Sequence, residues 1–488
     1  MRRKFLVLAT LLASGCAVGP RYQRPAAPAP AGFKEMAGND LWKMATPSDG
    51  LLKGKWWEIF GDPQLNRLEE LVATNNQNVK QAEAQFRQAR ALVASNHANY
   101  YPTIGSNPAI TQTRNYVEST SASFSLPGNL SWEPDLWGRV RLQVENAVSN
   151  AQVSAADLEN IRLSQQAALA TDYFLLAAQD MQLRVLSETI DTYRRNLQLT
   201  IDRHAGGVAS KSDITLAQTQ LASALAQSTD MRVSRAQDEH AIAVLTGQEP
   251  ASLEIAATQI AGPPPAIPIG LPSQLLERRP DIAAGERQVA AANANVGIAE
   301  TAYYPTLTLS ANPGFLANNL VNLLTYKDRS WSAGPSLSQT LFDFGRRGAT
   351  MENAEAAYDA TVASYRQAVL AAFQEVEDDL ANLRYLAEEA VEQEEAVVAA
   401  REALRLEIER YRAGTDSYLS VITTQIIALQ DEQTAITILQ RRMSAAVDLV
   451  KALGGGWDAS YLPSADALRS AALSDPRVTQ GVARASDK

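Results

Sequence analysis

Two hydrophobic periods run through the chain. Ala122, Phe124, Leu126, Leu130 and Trp132 alternate with Ser121, Ser123, Ser125, Asn129 and Ser131. Leu307, Leu309 and Ala311 alternate with Thr306, Thr308, Ser310 and Asn312, and Trp331, Ala333, Leu337 and Leu341 with Ser332, Ser336, Ser338 and Thr340. A period of two predicts strands. The segment after Pro102 alternates less cleanly and makes the fourth. Elsewhere the period is seven: Leu169, Leu176, Leu183, Ile190 and Leu197 in one stretch, and Val376, Leu383, Ala390, Val397, Leu404 and Tyr411 in another. A sustained seven-residue repeat predicts a left-handed coiled-coil seam. From Gly138 to Ala205 there is neither a proline nor an interior glycine. That predicts one uninterrupted helix of roughly 100 Å at 1.5 Å per residue. Ser210–Thr246 and Pro272–Ala302 are each about half as long and together match it.

The pattern occurs twice. Tyr100-Tyr101-Pro102-Thr103 returns as Tyr303-Tyr304-Pro305-Thr306, and Trp137-Gly138-Arg139 as Phe344-Gly345-Arg346. Arg203-His204 with Gly207 returns as Arg410-Tyr411 with Gly414, and Leu245-Thr246-Gly247 near Leu453-Gly454-Gly455. Each copy reads helix, two strands, very long helix, turn, helix, with a Pro-rich joint at Pro263-Pro264-Pro265 and Pro268. The expected divisions are 1–15 signal peptide, 16–62 lipid-anchored N-terminal segment, 63–268 repeat 1, 269–455 repeat 2 and 456–488 C-terminal tail.

The polar face of the strands is small and hydroxylic. Alternation alone fits a half-exposed soluble sheet as well as a barrel around a watery lumen. The aromatics tip that balance. Tyr100, Tyr101, Trp132, Trp137, Tyr303, Tyr304, Phe342 and Phe344 all fall where a helix meets a strand, as an interfacial girdle requires. Four strands cannot close a barrel, and open edges cannot sit in lipid, so several protomers would have to pool their strands.

The N-terminus sharpens the location. Met1-Arg2-Arg3-Lys4 is basic, and the apolar run Phe5–Ala13 is shorter than the about 20 residues a spanning helix needs. Leu12-Ala13-Ser14-Gly15-Cys16 resembles a lipobox, although Ala13 stands where Leu is preferred. Cys16 is the single cysteine, so it can make neither an intrachain disulfide nor a Cys-based zinc site. It is expected to carry a covalent lipid and no other cofactor. Ala17, rather than Asp, favours the outer membrane.

The remaining composition mostly excludes. The net charge is -10 without a basic stripe, which argues against nucleic acid. The three histidines His97, His204 and His240 lack metal-site spacing. Gly454-Gly455-Gly456 is not a phosphate loop, for no Lys-Ser or Lys-Thr follows it. Glu388, Glu389, Glu392, Glu394 and Glu395 read as a solvated helix face. No catalytic constellation is found, and the chain reads as a conduit, not an enzyme.

Several of these residues together resemble the TolC-type outer-membrane factors, in their OprM-like lipoprotein branch. Cys16 is followed by Gly19-Pro20-Arg21-Tyr22 and Pro25. Trp56-Trp57, Phe60, Asp62-Pro63 and Leu65 open the first copy, and Asp135-Leu136-Trp137-Gly138-Arg139 follows its strands. Leu271-Pro272, Leu275-Leu276, Arg278-Arg279-Pro280-Asp281-Ile282 and Glu286 open the second. The likeness runs from Cys16 to Trp457.

The resemblance implies an α+β membrane protein with two internal repeats. An outer-membrane β-barrel shared between protomers, four strands each and twelve in a trimer, would continue into a periplasmic α-helical coiled-coil barrel. It implies a homotrimer partnered by a periplasmic adaptor (a membrane fusion protein), an inner-membrane RND pump and outer-membrane lipid, exporting drugs and other small toxic molecules. A metal-ion efflux channel or a type I secretion channel of the same fold are the alternatives. The scattered methionines and the absence of a free thiol after lipidation argue against soft metals. The resemblance also implies a constricted periplasmic gate, carried by position onto Asp213, Arg410 and Tyr411 as tethers and Leu419 as an apolar ring. Ser420 and Thr423 stand where the family often has acids, which removes potential negative rings from the tip.

Overall fold

The computed structural model describes residues 18–27, 30, 32–36, 54–114, 116, 120–267 and 272–473. The proposed signal peptide, Cys16, the 268–271 end of the joint and the last part of the tail lie outside them. Helix α1 (Pro63–Asn75) starts at Pro63, with the Asp62 carboxylate accepting from the Gln64 and Leu65 amides at 2.8 and 3.1 Å. Asn76 then caps α2 (Gln77–His97) by accepting from Asn78 and Val79. After strands β1 (Thr103–Ser106), β2 (Ala109–Arg114) and β3 (Thr120–Trp132) comes α3 (Arg139–Ala205), 67 residues long. The Asp135 carboxylate accepts from its first amides, Val140 and Arg141, at 2.9 and 2.8 Å, where the helix dipole favours negative charge. A tight turn at Gly206-Gly207 leads into the return helix α4 (Lys211–Leu245).

The second half repeats this order. It comprises α5 (Pro272–Arg278), α6 (Pro280–Thr301), β4 (Thr306–Ala311), β5 (Gly314–Ala317), β6 (Arg329–Ser330), β7 (Ala333–Ser338), the 68-residue α7 (Arg346–Ala413) and α8 (Tyr418–Ala452). A short α9 (Ala465–Leu473) folds back beside α2 and α3. Equivalent positions make equivalent bonds. Asn76 Nδ2 donates to the Leu245 carbonyl at 2.8 Å, and Arg279 Nη1 to the Ala452 carbonyl at 3.0 Å. Gly247 and Gly454 both have positive φ and press on a carbonyl, Asn75 in the first half and Arg278 in the second. These contacts join the top of each return helix to the junction between the paired upper helices.

The upper part of α3 lies against α2 and α6, the lower part against α4 and α8. The main core sits where these halves meet and joins Trp56, Trp57, Leu65, Leu68, Leu169, Tyr173, Leu176, Val376, Leu380 and Leu449. Of the heptad positions, Leu169, Leu176, Ile190, Val376, Leu383, Val397 and Tyr411 are buried. Leu183, Leu197, Ala390 and Leu404 are half-buried.

The sheet is antiparallel throughout, with β1 and β2 on β3, then β4 and β5, then β6 and β7. The first extended segment of each half is longer than the pattern suggested and is broken once, at Asn107-Pro108 and at Asn312-Pro313. Proline has no amide to donate to the ladder. The last strand stops at Ser338, so Leu341 falls outside the alternation. Gln339 instead donates its side-chain amide to the Tyr303 carbonyl at 3.2 Å, and the chain turns through positive φ at Phe344 and Gly345. Registered neighbours share a face. Ile104, Leu130, Ala311 and Ala333 form one row across the sheet, and Leu307 pairs with Leu337; Thr103, Ser131, Ser310 and Gly334 form the adjoining row. On the apolar face Ile104 and Leu337 are 77% and 68% exposed, and β1, β2 and β7 are exposed at every position, so among the described residues neither face is covered there. Among the described residues no helix is long and apolar enough to cross a membrane.

Candidate functional site

The two hairpin turns lie side by side, joined by one arginine. Arg203, in the last turn of α3, donates through Nη1 to the main-chain carbonyls of Tyr411 at 2.7 Å and Arg412 at 3.1 Å. Its guanidinium lies 4.6 Å from the Tyr411 ring centroid. Main-chain carbonyls at a helix C-terminus have no intrahelical partner, and cations are favoured there. Tyr411 is buried with Ala217, Tyr418, Val421 and Ile422, its hydroxyl 3.4 Å from Thr200 Oγ1. Burial first, then the neighbouring Tyr411 and Tyr193, pushes the Tyr418 phenol up to about 12. The Tyr418 phenol is therefore neutral at physiological pH.

Asp213 does not reach Arg410 within the protomer. Its carboxylate accepts from the Ser210 amide at 2.9 Å, while the Asp213 amide donates to Ser210 Oγ at 3.1 Å; the pair caps α4. Arg410 is exposed, 3.6 Å from Glu407 and 3.9 Å from Asp416. The Asp416 carboxyl is held below its ordinary value mainly by the Ser417 amide and the Ser420 hydroxyl. Ser420, at the otherwise acid-poor second tip, thus positions an acid four residues earlier. Leu419 is 60% exposed. The lock that the structure does make runs through Arg203 and Thr200. The repeat match of Arg203 with Arg410 was the available signal for the former; nothing in the pattern singled out Thr200.

At the other end, the aromatics gather below the sheet. Trp132 Nε1 donates to the Tyr100 carbonyl at 3.0 Å and Trp137 Nε1 to the Pro305 carbonyl at 2.7 Å. Trp137 stacks on Tyr304 at 5.0 Å, and the Phe342 and Phe344 rings meet at 4.5 Å. Tyr101 and Tyr303 are exposed at the same boundary. The described N-terminal stretch begins here: the Val18 amide donates to the Trp137 carbonyl at 3.3 Å. It then descends along α6, α5 and α7, where the Pro20 carbonyl accepts from Asn293 of α6, Arg24 donates to the Leu276 carbonyl of α5 and Arg366 of α7 donates to the Ala26 carbonyl. Phe33 inserts into the main core, and Glu35 pairs with Arg384 at 2.9 Å. Among the described residues no three His, Cys, Asp or Glu side chains gather as metal ligands.

The chain matches known outer-membrane channels in sequence and in fold. The outer membrane efflux protein family matches residues 68–248 and again 271–455. This chain belongs to that family. The probable efflux pump outer membrane protein TtgC of Pseudomonas putida is 30% identical over 97% of this chain and 98% of its own length. The pyoverdine export outer membrane protein OpmQ of Pseudomonas aeruginosa is 30% identical over 94% of this chain and 97% of its own. The solved outer-membrane channel OprN superposes with a TM-score of 0.83 at 30% identity, covering 91% of this chain and all of that one. As an outer membrane efflux protein the chain is a channel subunit of an efflux pump. Its sheet marks the membrane end and its hairpins run into the periplasm.

Proposed function

We propose that three copies pool their sheets into one twelve-stranded barrel, and that the joined hairpins form a tunnel through which a periplasmic adaptor and an inner-membrane pump expel small molecules. The observation that carries this reading is the exposed apolar row of the sheet. In the row running through Ile104, Leu130, Ala311 and Ala333 the outer members Ile104 and Ala333 are exposed and no described element covers it, and lipid is the solvent that suits it. The hydroxylic row then lines the lumen. The edges at β1–β2 and β6–β7 would pair between copies. The aromatic rim supplies the headgroup girdle, and Val18, tied to Trp137, brings Cys16 within two residues of that depth, about 7 Å of extended chain. A lipid on Cys16 would therefore enter the leaflet beside the barrel.

The tips would form the periplasmic gate, with Leu419 facing the axis and Arg410, Tyr411 and Asp213 setting the spacing between hairpins. The channel carries no chemistry of its own, and its small-molecule cargo is in keeping with the names of its relatives. Native mass spectrometry of the protein extracted from outer membranes tests the reading. A trimer whose chains begin at a lipid-modified Cys16 is expected; a stable monomer that keeps its β signal would overturn it.

A further inference from the structure

The apolar face of the sheet has an upper end, and the side chains there change in kind. The pairing register is the same on both sides of each strand interruption, so a face can be followed from β4 to β5 and from β7 to β6. Leu126 pairs with Phe315 and Phe315 with Arg329, which places Arg329 on the face of Leu130, Ala311 and Ala333. Trp331, midway between Arg329 and Ala333, shares that face by alternation and is 78% exposed. On β2 the same face passes from Ile110 to Gln112 and then Arg114. The face given to lipid thus ends in a tryptophan and a cation on one side and a cation on the other. Ser338 and Arg329 are nine residues apart, about 30 Å along a strand and about 21–24 Å in height at the usual barrel tilt. The apolar band of such a barrel is about 25 Å tall. Arg329 therefore stands at the headgroup level of the outer leaflet, across the bilayer from the rim of Trp137 and Tyr303.

The two rims treat their cations differently. At the periplasmic rim Arg139 is paired with Glu133 and Arg347 with Asp343. At the outer rim, among the described residues, no carboxylate lies within ion-pair distance of Lys327 or Arg329 and no acceptor takes their side-chain donors. Asp328, the acid between them, accepts instead from the Thr325 hydroxyl at 2.6 Å. The Arg329 guanidinium lies 3.5 Å from the centroid of the Tyr326 ring. Stacking holds the group flat and leaves its in-plane N–H fork open. Tyr326, Lys327 and Arg329 are all exposed.

We infer that Tyr326, Lys327, Arg329 and Trp331 form a site for a phosphorylated glycolipid of the outer leaflet. The guanidinium fork and the ammonium take a headgroup phosphate, and the Trp331 ring lies one step below against the sugar and the upper acyl chain. This rests on the barrel reading above and adds a lipid site to it. The arrangement favours a lipid over free phosphate because the cations continue an apolar face, so that charge and burial act on one molecule. It favours the outer leaflet because the arginines of the other rim already have their acids.

Native mass spectrometry of the full chain in detergent, with diphosphoryl lipid A as the probe, tests the site. The wild-type trimer should retain the glycolipid, and the double variant Lys327→Gln, Arg329→Gln should retain roughly ten-fold less or lower still. Arg90→Gln, which removes a cation that also lies near a ring, Phe86, but on α2, should retain as much as the wild type. Equal retention by the double variant in intact trimers overturns the site and leaves the assembly standing. Absence of a trimer overturns the assembly and the site with it. Phosphatidylglycerol retained as well as lipid A, or lipid A released by millimolar inorganic phosphate, overturns the assignment to an outer-leaflet glycolipid.

Discussion

Replacing Arg203 by alanine should loosen the hairpin tips without unfolding the protein. The change removes two hydrogen bonds from a guanidinium to main-chain carbonyls, at 2.7 and 3.1 Å, and a cation–π contact of 4.6 Å with Tyr411. Charged hydrogen bonds contribute roughly 1.5–3 kcal/mol each when poorly solvated, and a cation–π contact about 0.5–1 kcal/mol at a partly exposed site. Two factors reduce the sum. The side chain is half-exposed, and water can reach the freed carbonyls. Arg203 Nε has no partner, so its loss removes a small penalty as well. A net loss of about 2 kcal/mol remains, roughly a 30-fold rise in the local opening equilibrium. Hydrogen exchange reads this directly at the Gly414 and Thr415 amides, which donate to the Tyr411 and Arg410 carbonyls and close the turn. They should exchange roughly 30-fold faster, while amides near Leu169 in the main core keep their protection. Arg203→Lys retains a charge but not the fork and should fall between. Unchanged exchange at Gly414 and Thr415 in the alanine variant would refute the reasoning, since it would mean that α8 packing alone fixes the turn.

Two further outcomes concern stability. Burial, then Asp448, Glu375 and Asp378, pushes the Asp379 carboxyl up to about 7. Its folded-state affinity for a proton therefore exceeds the unfolded one, and its ionisation costs stability progressively as pH rises from about 4 to 7. Discounted for its partial exposure, the cost is about 1–2 kcal/mol, so Asp379→Asn should raise the thermal midpoint by a degree or two at pH 8 and not at pH 4. Gly454→Ala should lower the midpoint at every pH, by more than about 2 kcal/mol in stability, because φ there is +91° and a Cβ would lie 2.0 Å from the Arg278 carbonyl; an unchanged melt would mean that the top of α8 is not held against that helix end.

The long helices and the strands were legible because each rests on a local period. Seven-residue spacing with no interior proline fixes α3 and α7, of which α3 also lacks an interior glycine, and alternation fixes which side of β3 and β4 each residue takes. The breaks at Pro108 and Pro313 were legible in principle, since proline cannot serve a central ladder, although the hydrophobic alternation runs past them. The end of β7 was not, because Leu341 continues the period and only the turn through Phe344 removes it.

The tip residues show where local pattern stops informing. Asp213, Arg410, Tyr411 and Leu419 were picked out by position, and the structure brings all four to one end of the hairpins. Which acid meets which arginine is a matter of partners distant in sequence, and capping settled it for Asp213: Ser210, three residues earlier, offers its amide at 2.9 Å and closes a reciprocal cap. Arg203 and Arg410 stand at equivalent positions, yet one is engaged and the other exposed. Their immediate neighbours differ, His204 against Tyr411 and Thr200 against Glu407, and so do the helices packed around each long helix inside one protomer. A duplicated unit folded as a single chain satisfies the junction from its first half to its second and leaves the junction from second to first open. Residues that look redundant across the repeat can thus differ in role, as Arg203 and Arg410 do, and the exposed one marks a flank at which the proposed assembly would place its next copy.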